Sequence, residues 1–268
     1  MSAGSLTDRR SQPVTALALS PIDGPHVPGN HQTLRISSWT SFASSEQGSG
    51  LVAPRVHQRP TGERRPEDGG PVSDRTTRDQ IVEAADQLFY RQGFEHTSFA
   101  DIANVVQISR GNFYYHFKAK DEILDAVINR RLADTRTMLR RWEIEGREPA
   151  ERIRSFIDIL IVNQADIRRY GCPVGTLCTE LAKLNHAAQS DANKLFTLFQ
   201  TWLRRQFTLL GHVSDADTLA MHLLARSQGV ATLATAFSDE EFIRREVRQL
   251  YDWLESCGEG NSRCSSCS

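Results

Sequence analysis

The 268-residue sequence lacks any apolar run near the length of about 20 residues that a membrane-spanning helix needs. Its longest aliphatic run is IDILIV at 157–162, which lies inside a charged helical pattern. The start of the chain also lacks the apolar stretch of about 7 to 15 residues found in secretory signals. These absences argue against a membrane or exported protein, and we expect a cytoplasmic one.

The chain also has no excess of either charge. It contains 32 Lys and Arg residues and 33 Asp and Glu residues, so the formal net charge is −1. No global field therefore attracts nucleic acid or an anionic membrane, and such a partner requires a local patch. Cysteine is scarce, with five residues at 172, 178, 257, 264 and 267. This odd, sparse set predicts no disulfide framework and suits a reducing compartment.

Patterns for catalysis or metal binding are few. CSSC at 264–267 has the spacing of half a zinc or redox site, but the second half is missing. His186 and His222 have no spaced Cys, His or carboxylate partner on the same helical face, so we predict no metal site and no cofactor. An enzyme that uses Cys172 or Cys178 is a remote alternative, because no oriented base or oxyanion donor stands at motif spacing.

Helical periodicity begins near residue 76. Residues 1–75 are rich in Ser, Pro, Gly and Arg without a period, and we predict disorder there and in the small, polar tail 258–268. Translation from Val72 is an open alternative, since a valine codon can serve as a start. With no convincing strand, an all-α fold is predicted from helical patterns at 77–93, 97–107, just after Ser109, and at 120–146, 149–168, 173–185, 190–210, 215–236 and 239–256.

The segment ISRGNFYYHFKAKDEIL at 108–124 brings small, aromatic and cationic residues together. Ser109 is a favourable N-cap, and Ile108 and Phe113 stand at the two positions of a hydrophobic staple. On the short helix that follows, Phe113 and Phe117 share one face and anchor it. The groups left on the exposed sides are Arg110, Asn112, Tyr114, Tyr115 and His116.

This exposed face, together with Ser109 at its start, is suited to double-stranded DNA. No acidic residue occurs between Asp101 and Asp121, so positive charge is concentrated at the short helix. Arg110 can bond the O6/N7 edge of guanine, Gly111 lets the backbone come close, and tyrosines suit thymine methyl groups and phosphates. Phosphates would be held by lysines and by the N-terminus of the preceding helix, at Thr97, Ser98, Lys118 and Lys120.

Residues 77–124, TRDQIVEAADQLFYRQGFEHTSFADIANVVQISRGNFYYHFKAKDEIL, resemble the N-terminal helix-turn-helix domain of the TetR family of bacterial transcriptional regulators. The resemblance implies a three-helix DNA-binding domain at 76–124, joined by a long fourth helix to an all-helical effector-binding and dimerisation domain at 125–257. It implies an effector-released repressor that binds a palindromic operator as a homodimer. The family commonly has Gly where this chain has Gln107. By position, the family's DNA contacts fall on Thr97, Ser98, Arg110, Gly111, Tyr114, Tyr115, His116 and Lys120.

Beyond residue 125 the resemblance rests on the helix count and on GCPVGTLCTELA at 171–182, which is similar to a motif in a subgroup that includes sensors of small molecules or reactive compounds. Pro173 suits a first helical residue, which puts Cys172 at the N-cap, where the helix dipole favours a thiolate. A thiol-based redox or electrophile sensor is therefore the alternative function, whereas Cys178 falls mid-helix as a small buried group.

Effector-binding candidates are apolar or aromatic positions with an occasional polar neighbour, namely Phe156, Leu160, Cys172, Leu177, Trp202, Phe207, Met221 and His222. The helix at 190–210 carries a second apolar stripe with Leu198, Trp202 and Leu209. Because one stripe suffices for a core, we expect the second to face a partner subunit, with the last helix opposite it. An architectural DNA binder without an effector is a third class, against which the large non-basic C-terminal domain argues.

Overall fold

The computed structural model describes residues 76–259 and folds them into helices, with no strand in that range. No helix in this range is long and apolar enough to cross a membrane. The predicted disorder of 1–75 and 260–268 lies outside the described residues. In chain order the helices are α1 (Thr77–Gln92), α2 (Phe99–Val106), α3 (Arg110–His116), α4 (Lys120–Glu145), α5 (Pro149–Val162), α6 (Gln164–Tyr170), α7 (Pro173–Lys183), α8 (Gln189–Leu209), α9 (Ala216–Phe237) and α10 (Glu240–Glu259).

Local capping sets the ends of the first helices. The Thr76 side chain accepts a hydrogen bond from the Asp79 amide (3.2 Å), and α1 stops at Gly93, whose φ of +90° favours glycine. Ser98 caps α2 in a reciprocal capping box with Asp101. The N-cap of α2 is therefore Ser98 and not the neighbouring Thr97.

The turn between α2 and α3 uses a left-handed residue. Gln107 has φ 59° and ψ 41°, and the next amide, that of Ile108, donates to the Ala103 carbonyl over 3.2 Å. Ser109 then caps α3, because its hydroxyl accepts a hydrogen bond from the Asn112 amide (3.3 Å). The turn therefore has the left-handed geometry for which glycine is preferred, although the side chain is glutamine.

Helix α4 links the three-helix domain to the rest of the chain. Its 26 residues span about 39 Å at 1.5 Å per residue. It packs on α1 near its start and on α5 and α8 further along. One face is apolar and buried, which fixes the helix against both halves of the molecule, and its members include Ile123, Leu124, Val127, Ile128, Leu132 and Leu139.

The prediction of one helix over 149–168 is wrong, because the helix breaks at Asn163. This residue has φ −107° and ψ 17°, is buried, and its side-chain amide donates to the Ile159 carbonyl over 2.9 Å. The Asn163 backbone amide also donates to this carbonyl (3.1 Å), so one acceptor serves both donors at the break. Helix α5 therefore ends at Val162, and α6 begins at Gln164.

The second apolar stripe of α8 is partly covered within the single chain. Trp202 is only 7% exposed, because its ring lies 5.6 Å from the ring of Trp142 at the end of α4. Its indole nitrogen also donates to Glu143 (3.1 Å). At this position the stripe therefore faces α4, whereas Leu209 remains 54% exposed.

Candidate functional site

Helix α3 presents the predicted polar face to solvent. Phe113 and Phe117 are each 1% exposed and fix the helix on the domain core. On the other side Tyr115 is 79% exposed and Tyr114 45%. Arg110, Gly111 and Asn112 are also exposed, and His116 is half-buried.

The surface of this face is open enough for another molecule to come close to the backbone. A Cβ built on Gly111 would meet nothing within 4 Å, so the backbone there is open to an external surface. The Tyr114 ring is held edge-on against Phe99 (5.5 Å), and the Tyr115 ring against His116 (5.2 Å). These contacts orient the aromatic groups before any partner binds, which lowers the entropy cost of binding.

Two of the predicted phosphate contacts have structural partners in this conformation. Thr97 is 1% exposed and its hydroxyl donates to the Gly93 carbonyl (2.7 Å). The Lys120 ammonium donates to the carbonyls of Phe94 (3.0 Å) and Glu95 (3.3 Å) and lies over the Phe94 ring. Both side chains thus stabilise the α1–α2 turn and the start of α4.

Ser98 and Lys118 remain at the surface. The Ser98 hydroxyl and amide both contact the Asp101 carboxylate, which holds the pKa of Asp101 below its usual value. The Lys118 ammonium donates to the Tyr114 carbonyl, and its amide donates to Glu122 (2.9 Å). Among the predicted phosphate-binding side chains, these two are the exposed ones.

The three-helix domain is fastened to α7 of the second domain. The Glu180 carboxylate accepts hydrogen bonds from the amides of Phe94 and Glu95, each over 2.9 Å. The Tyr90 hydroxyl donates to the Gly171 carbonyl over 2.7 Å. The first pair of bonds joins the α1–α2 turn to the C-terminal half of α7, and the Tyr90 bond joins α1 to the segment just before α7.

A buried ion pair completes this junction. The Arg131 guanidinium of α4 contacts the Asp86 carboxylate of α1 at 2.6 Å, and the two side chains are 5% and 3% exposed. Arg131 also donates to the Pro173 carbonyl (2.7 Å). Burial raises the pKa of Asp86, and the neighbouring guanidinium opposes this effect. One side chain therefore connects α1, α4 and the start of α7.

A small apolar cavity lies on the other side of that segment. Its volume is about 40 Å³, and aromatic and aliphatic groups from α5, α7, α8 and α9 form most of its wall. The polar groups among its lining residues come from Cys172, Ser227 and Gln228. The lining residues are Phe156, Ile159, Leu160, Ile167, Cys172, Pro173, Val174, Phe196, Phe199, Leu224, Ser227, Gln228 and Ala231.

Three of the predicted effector residues line this cavity, namely Phe156, Leu160 and Cys172. The other candidates lie elsewhere. Leu177 and Phe207 are buried core residues outside it, and Trp202 packs on α4. Met221 and His222 are exposed on α9, where the His222 ring lies 4.9 Å from that of Trp253.

The cavity residues that the sequence analysis missed are mainly on α8 and α9. Phe196 and Phe199 have the spacing of one helical face, which gave no means to separate a cavity wall from ordinary core. Gln228 is one of several polar residues in the run 218–238, so no local signal marked it as part of a cavity wall. These residues come together only because of the way the helices cross. The crossing of helices cannot be read from local sequence patterns.

Cys172 occupies the predicted N-cap of α7, with extended φ and ψ of −75° and 123°. It is half-buried, whereas Cys178 is buried, and burial raises the pKa of the Cys178 thiol to about 11. The description of Cys178 as a buried mid-helix residue is confirmed. Among the described residues no group of three His, Cys, Asp or Glu side chains could hold a metal, and CSSC at 264–267 lies outside them.

Comparisons with known proteins agree with this arrangement. The family described as "Bacterial regulatory proteins, tetR family" matches residues 81–127, and "Transcriptional regulator LmrA/YxaF-like, C-terminal domain" matches residues 149–249. The chain therefore belongs to the TetR family and is a DNA-binding transcriptional regulator. Its C-terminal helical region is similar to that of LmrA/YxaF-like regulators.

Individual relatives match a large share of the chain. An uncharacterized HTH-type transcriptional regulator in the lacX 3′ region of Lactococcus lactis subsp. lactis is 28% identical over 189 residues, which are 69% of this chain and 96% of that protein. The HTH-type transcriptional regulator TtgR of Pseudomonas putida is 29% identical over 166 residues, or 58% of this chain and 78% of TtgR. A TetR transcriptional regulator from Legionella pneumophila has a similar structure, with a TM-score of 0.62, 24% identity and coverage of 68% and 98% of the two chains.

Proposed function

We propose that this regulator is a homodimeric repressor that an apolar effector releases from its operator. The main support for this proposal is that residues 171–173 take part both in the cavity wall and in the contacts between the two domains. Cys172 and Pro173 line the cavity, while the carbonyls of Gly171 and Pro173 accept hydrogen bonds from Tyr90 and Arg131. A change in the cavity wall is thereby transmitted to α1 and α4.

The small volume of the cavity determines how release would work. About 40 Å³ holds only a few water molecules, since one water needs at least about 10 Å³. An effector must therefore bind an expanded form in which the lining segment has moved. The effector shifts the equilibrium toward the expanded form only to the extent that it binds this form more tightly than the closed one. Movement of α4 and α1 then alters the spacing of the two α3 helices in the dimer.

The wall of the cavity defines the class of effector. Phe156, Phe196 and Phe199 supply aromatic surface, and none of the lining residues within 76–259 carries a charge. The polar groups that can meet a ligand are the Gln228 amide and the Cys172 thiol, since the Ser227 hydroxyl donates to the Leu224 carbonyl (2.7 Å). We therefore expect an uncharged aromatic compound with one hydrogen-bonding group.

Release can be tested by fluorescence anisotropy on labelled DNA from upstream of the gene, with a library of uncharged aromatic compounds. Compounds that release the wild type should fail on Ala231→Leu, because the longer side chain fills the cavity at a position that is 1% exposed. Its DNA affinity without compound should be retained. Equal release of both proteins would contradict binding in this cavity.

The dimer proposal rests on an exposed, nearly uncharged face of α9. Met221, Leu233 and Phe237 are 46%, 43% and 71% exposed, and Gly229 between them has open space around a built Cβ. Arg226 is the one charged residue between 218 and 238. Monomers rarely leave such a helical face uncovered, and a twofold interface buries the same face of both subunits.

Gly229 offers a sharp test of this face. Gly229→Arg should leave the monomer folded, because nothing lies within 4 Å of the new Cβ, but it places a charge in the interface. Light scattering after size-exclusion chromatography should give a dimer for wild type and Gly229→Ala and a monomer for Gly229→Arg. A dimeric Gly229→Arg protein would place the interface elsewhere.

A second candidate function is electrophile sensing by Cys172, favoured by its position at the helix N-cap and in the cavity wall. Its sulfur can add to the β-carbon of an α,β-unsaturated carbonyl compound. A C–S bond forms, the C=C double bond is lost, and the thiol proton ends on the α-carbon. Cys172→Ser should abolish the adduct mass and the release by such compounds, and unchanged release by them would exclude this function.

A further inference from the structure

An open groove lies between the C-terminal half of α4 and α8, apart from the cavity. Its volume is about 740 Å³, and it shares no lining residue with the cavity. Arg136 and Arg140 on its wall are 16 and 20 residues beyond Lys120 in α4, so they lie about 24 to 30 Å along the helix from its start. The groove is therefore remote from the DNA-binding face. Its apolar lining consists of Leu139, Leu198, Trp202, Leu209, Val213 and Ala216.

The carboxylates in this groove already have partners. Glu143 accepts hydrogen bonds from Arg205 (3.0 Å) and from the Trp202 indole (3.1 Å). Asp217 accepts one from the Gln200 amide (3.3 Å). Glu143 is therefore paired with Arg205, and Asp217 forms no ion pair with a groove arginine among residues 76–259.

Three arginines remain without a carboxylate partner among residues 76–259. Arg136, Arg140 and Arg204 are exposed on the groove wall, and none of them forms an ion pair within that range. The contact of the Arg140 guanidinium is a long one of 3.5 Å to the Thr137 hydroxyl. With four arginines against two acids, the groove has a charge of +2, while the whole chain has −1. Unpaired guanidinium groups at the edge of apolar surface are suited to an amphipathic anion.

We propose that this groove binds an organic carboxylate with a long aliphatic body. The guanidinium groups of Arg136, Arg140 and Arg204 hold the head group, and Leu198, Leu209 and the other apolar lining residues cover the chain. Arginine presents planar pairs of N–H donors that match a carboxylate, whereas an uncharged ligand would leave them without a partner. The exposed apolar surface supplies the remaining affinity, because covering it removes the CH₂ groups of the ligand from water.

Isothermal titration calorimetry of the full-length protein without DNA tests this binding directly. The probe is dodecanoate below its micelle concentration, with dodecyltrimethylammonium and acetate as comparisons. Dodecanoate should bind at least about tenfold more tightly than either, because only dodecanoate has both the anionic head and the long chain. Equal binding of the cationic amphiphile would overturn the role of the arginines, and equal binding of acetate would overturn that of the apolar lining.

Variants locate the site. The double variant Arg136→Gln and Arg140→Gln should weaken dodecanoate binding about tenfold through the loss of charge-assisted hydrogen bonds. The matched control Arg147→Gln and Arg169→Gln removes the same charge from exposed positions outside the groove and should bind as wild type does. Ala231→Leu, which fills the separate cavity, should also leave binding unchanged. If Ala231→Leu abolishes binding, or if the two double variants behave alike, the groove is not the site.

Discussion

The Tyr90 hydroxyl of the DNA-binding domain donates a 2.7 Å hydrogen bond to the carbonyl of Gly171, the residue before the cavity-lining Cys172. This bond crosses 81 positions of sequence and joins α1 to the start of α7. Together with the Arg131 contact to Pro173, it makes the cavity wall part of the domain junction. The two domains are thus joined through backbone carbonyls at the start of α7.

Removing this hydroxyl should separate coupling from DNA binding. We expect Tyr90→Phe to destabilise the protein by about 1 kcal/mol, the typical value of one hydrogen bond, and to keep its operator affinity. Release of Tyr90→Phe from DNA should need more effector than release of the wild type, or should stay incomplete. Anisotropy titrations with effector will measure this difference. The matched control is Tyr251→Phe, which loses a tyrosine hydrogen bond to Asp158 away from the junction. If both variants respond to effector alike, the Tyr90 bond has no part in coupling.

Removal of only one partner of the Asp86–Arg131 pair should lower the stability of the protein strongly. Asp86→Ala leaves the Arg131 guanidinium buried without its carboxylate, and we expect a loss of about 3 to 5 kcal/mol in the free energy of unfolding. The double variant Asp86→Leu and Arg131→Met removes both charges and should recover much of that loss. Urea denaturation of the two variants and the wild type will give the values. A double variant less stable than Asp86→Ala would contradict this account of the pair.

The left-handed turn residue provides a prediction about stability. Gln107 has φ 59°, so Gln107→Gly should be neutral or stabilising by up to about 1 kcal/mol, because glycine adopts this conformation without a steric cost. Gln107→Val should destabilise by at least about 1 kcal/mol, since a β-branched residue is poorly tolerated there. Thermal unfolding of both variants provides the comparison. Equal melting temperatures would show that the turn relaxes to another conformation.

Local signals explain why most helices and the DNA-binding face could be predicted. Ser109 caps α3 and Phe113 anchors it, and both roles depend on residues within a few positions in the chain. The prediction of a small hydrophobe at Cys178 followed from helical periodicity in the same way. Such features need no knowledge of the tertiary structure.

The remaining features depend on tertiary contacts. The burial of Thr97 and the bonds of Lys120 to the α1–α2 turn arise only when α4 meets that turn. Periodicity could not show that Trp202 meets Trp142 rather than a partner subunit. The break at Asn163, which is buried, likewise interrupts a helical pattern that runs on through the sequence. Long-range packing therefore determines which apolar residues line the cavity, which lie in the core and which remain exposed.

The central claim, that the exposed face of α3 reads operator DNA, is tested most directly by anisotropy titrations of Arg110→Ala and Lys118→Ala against operator and random duplexes over a range of salt concentrations. Arg110→Ala should lose about 1 to 3 kcal/mol on the operator and much less on random DNA, because a base contact is removed. Lys118→Ala should weaken both duplexes alike and reduce the salt slope by about one, because a phosphate contact is removed. Equal losses on operator and random DNA for Arg110→Ala would contradict the assignment of α3 as the helix that reads the bases.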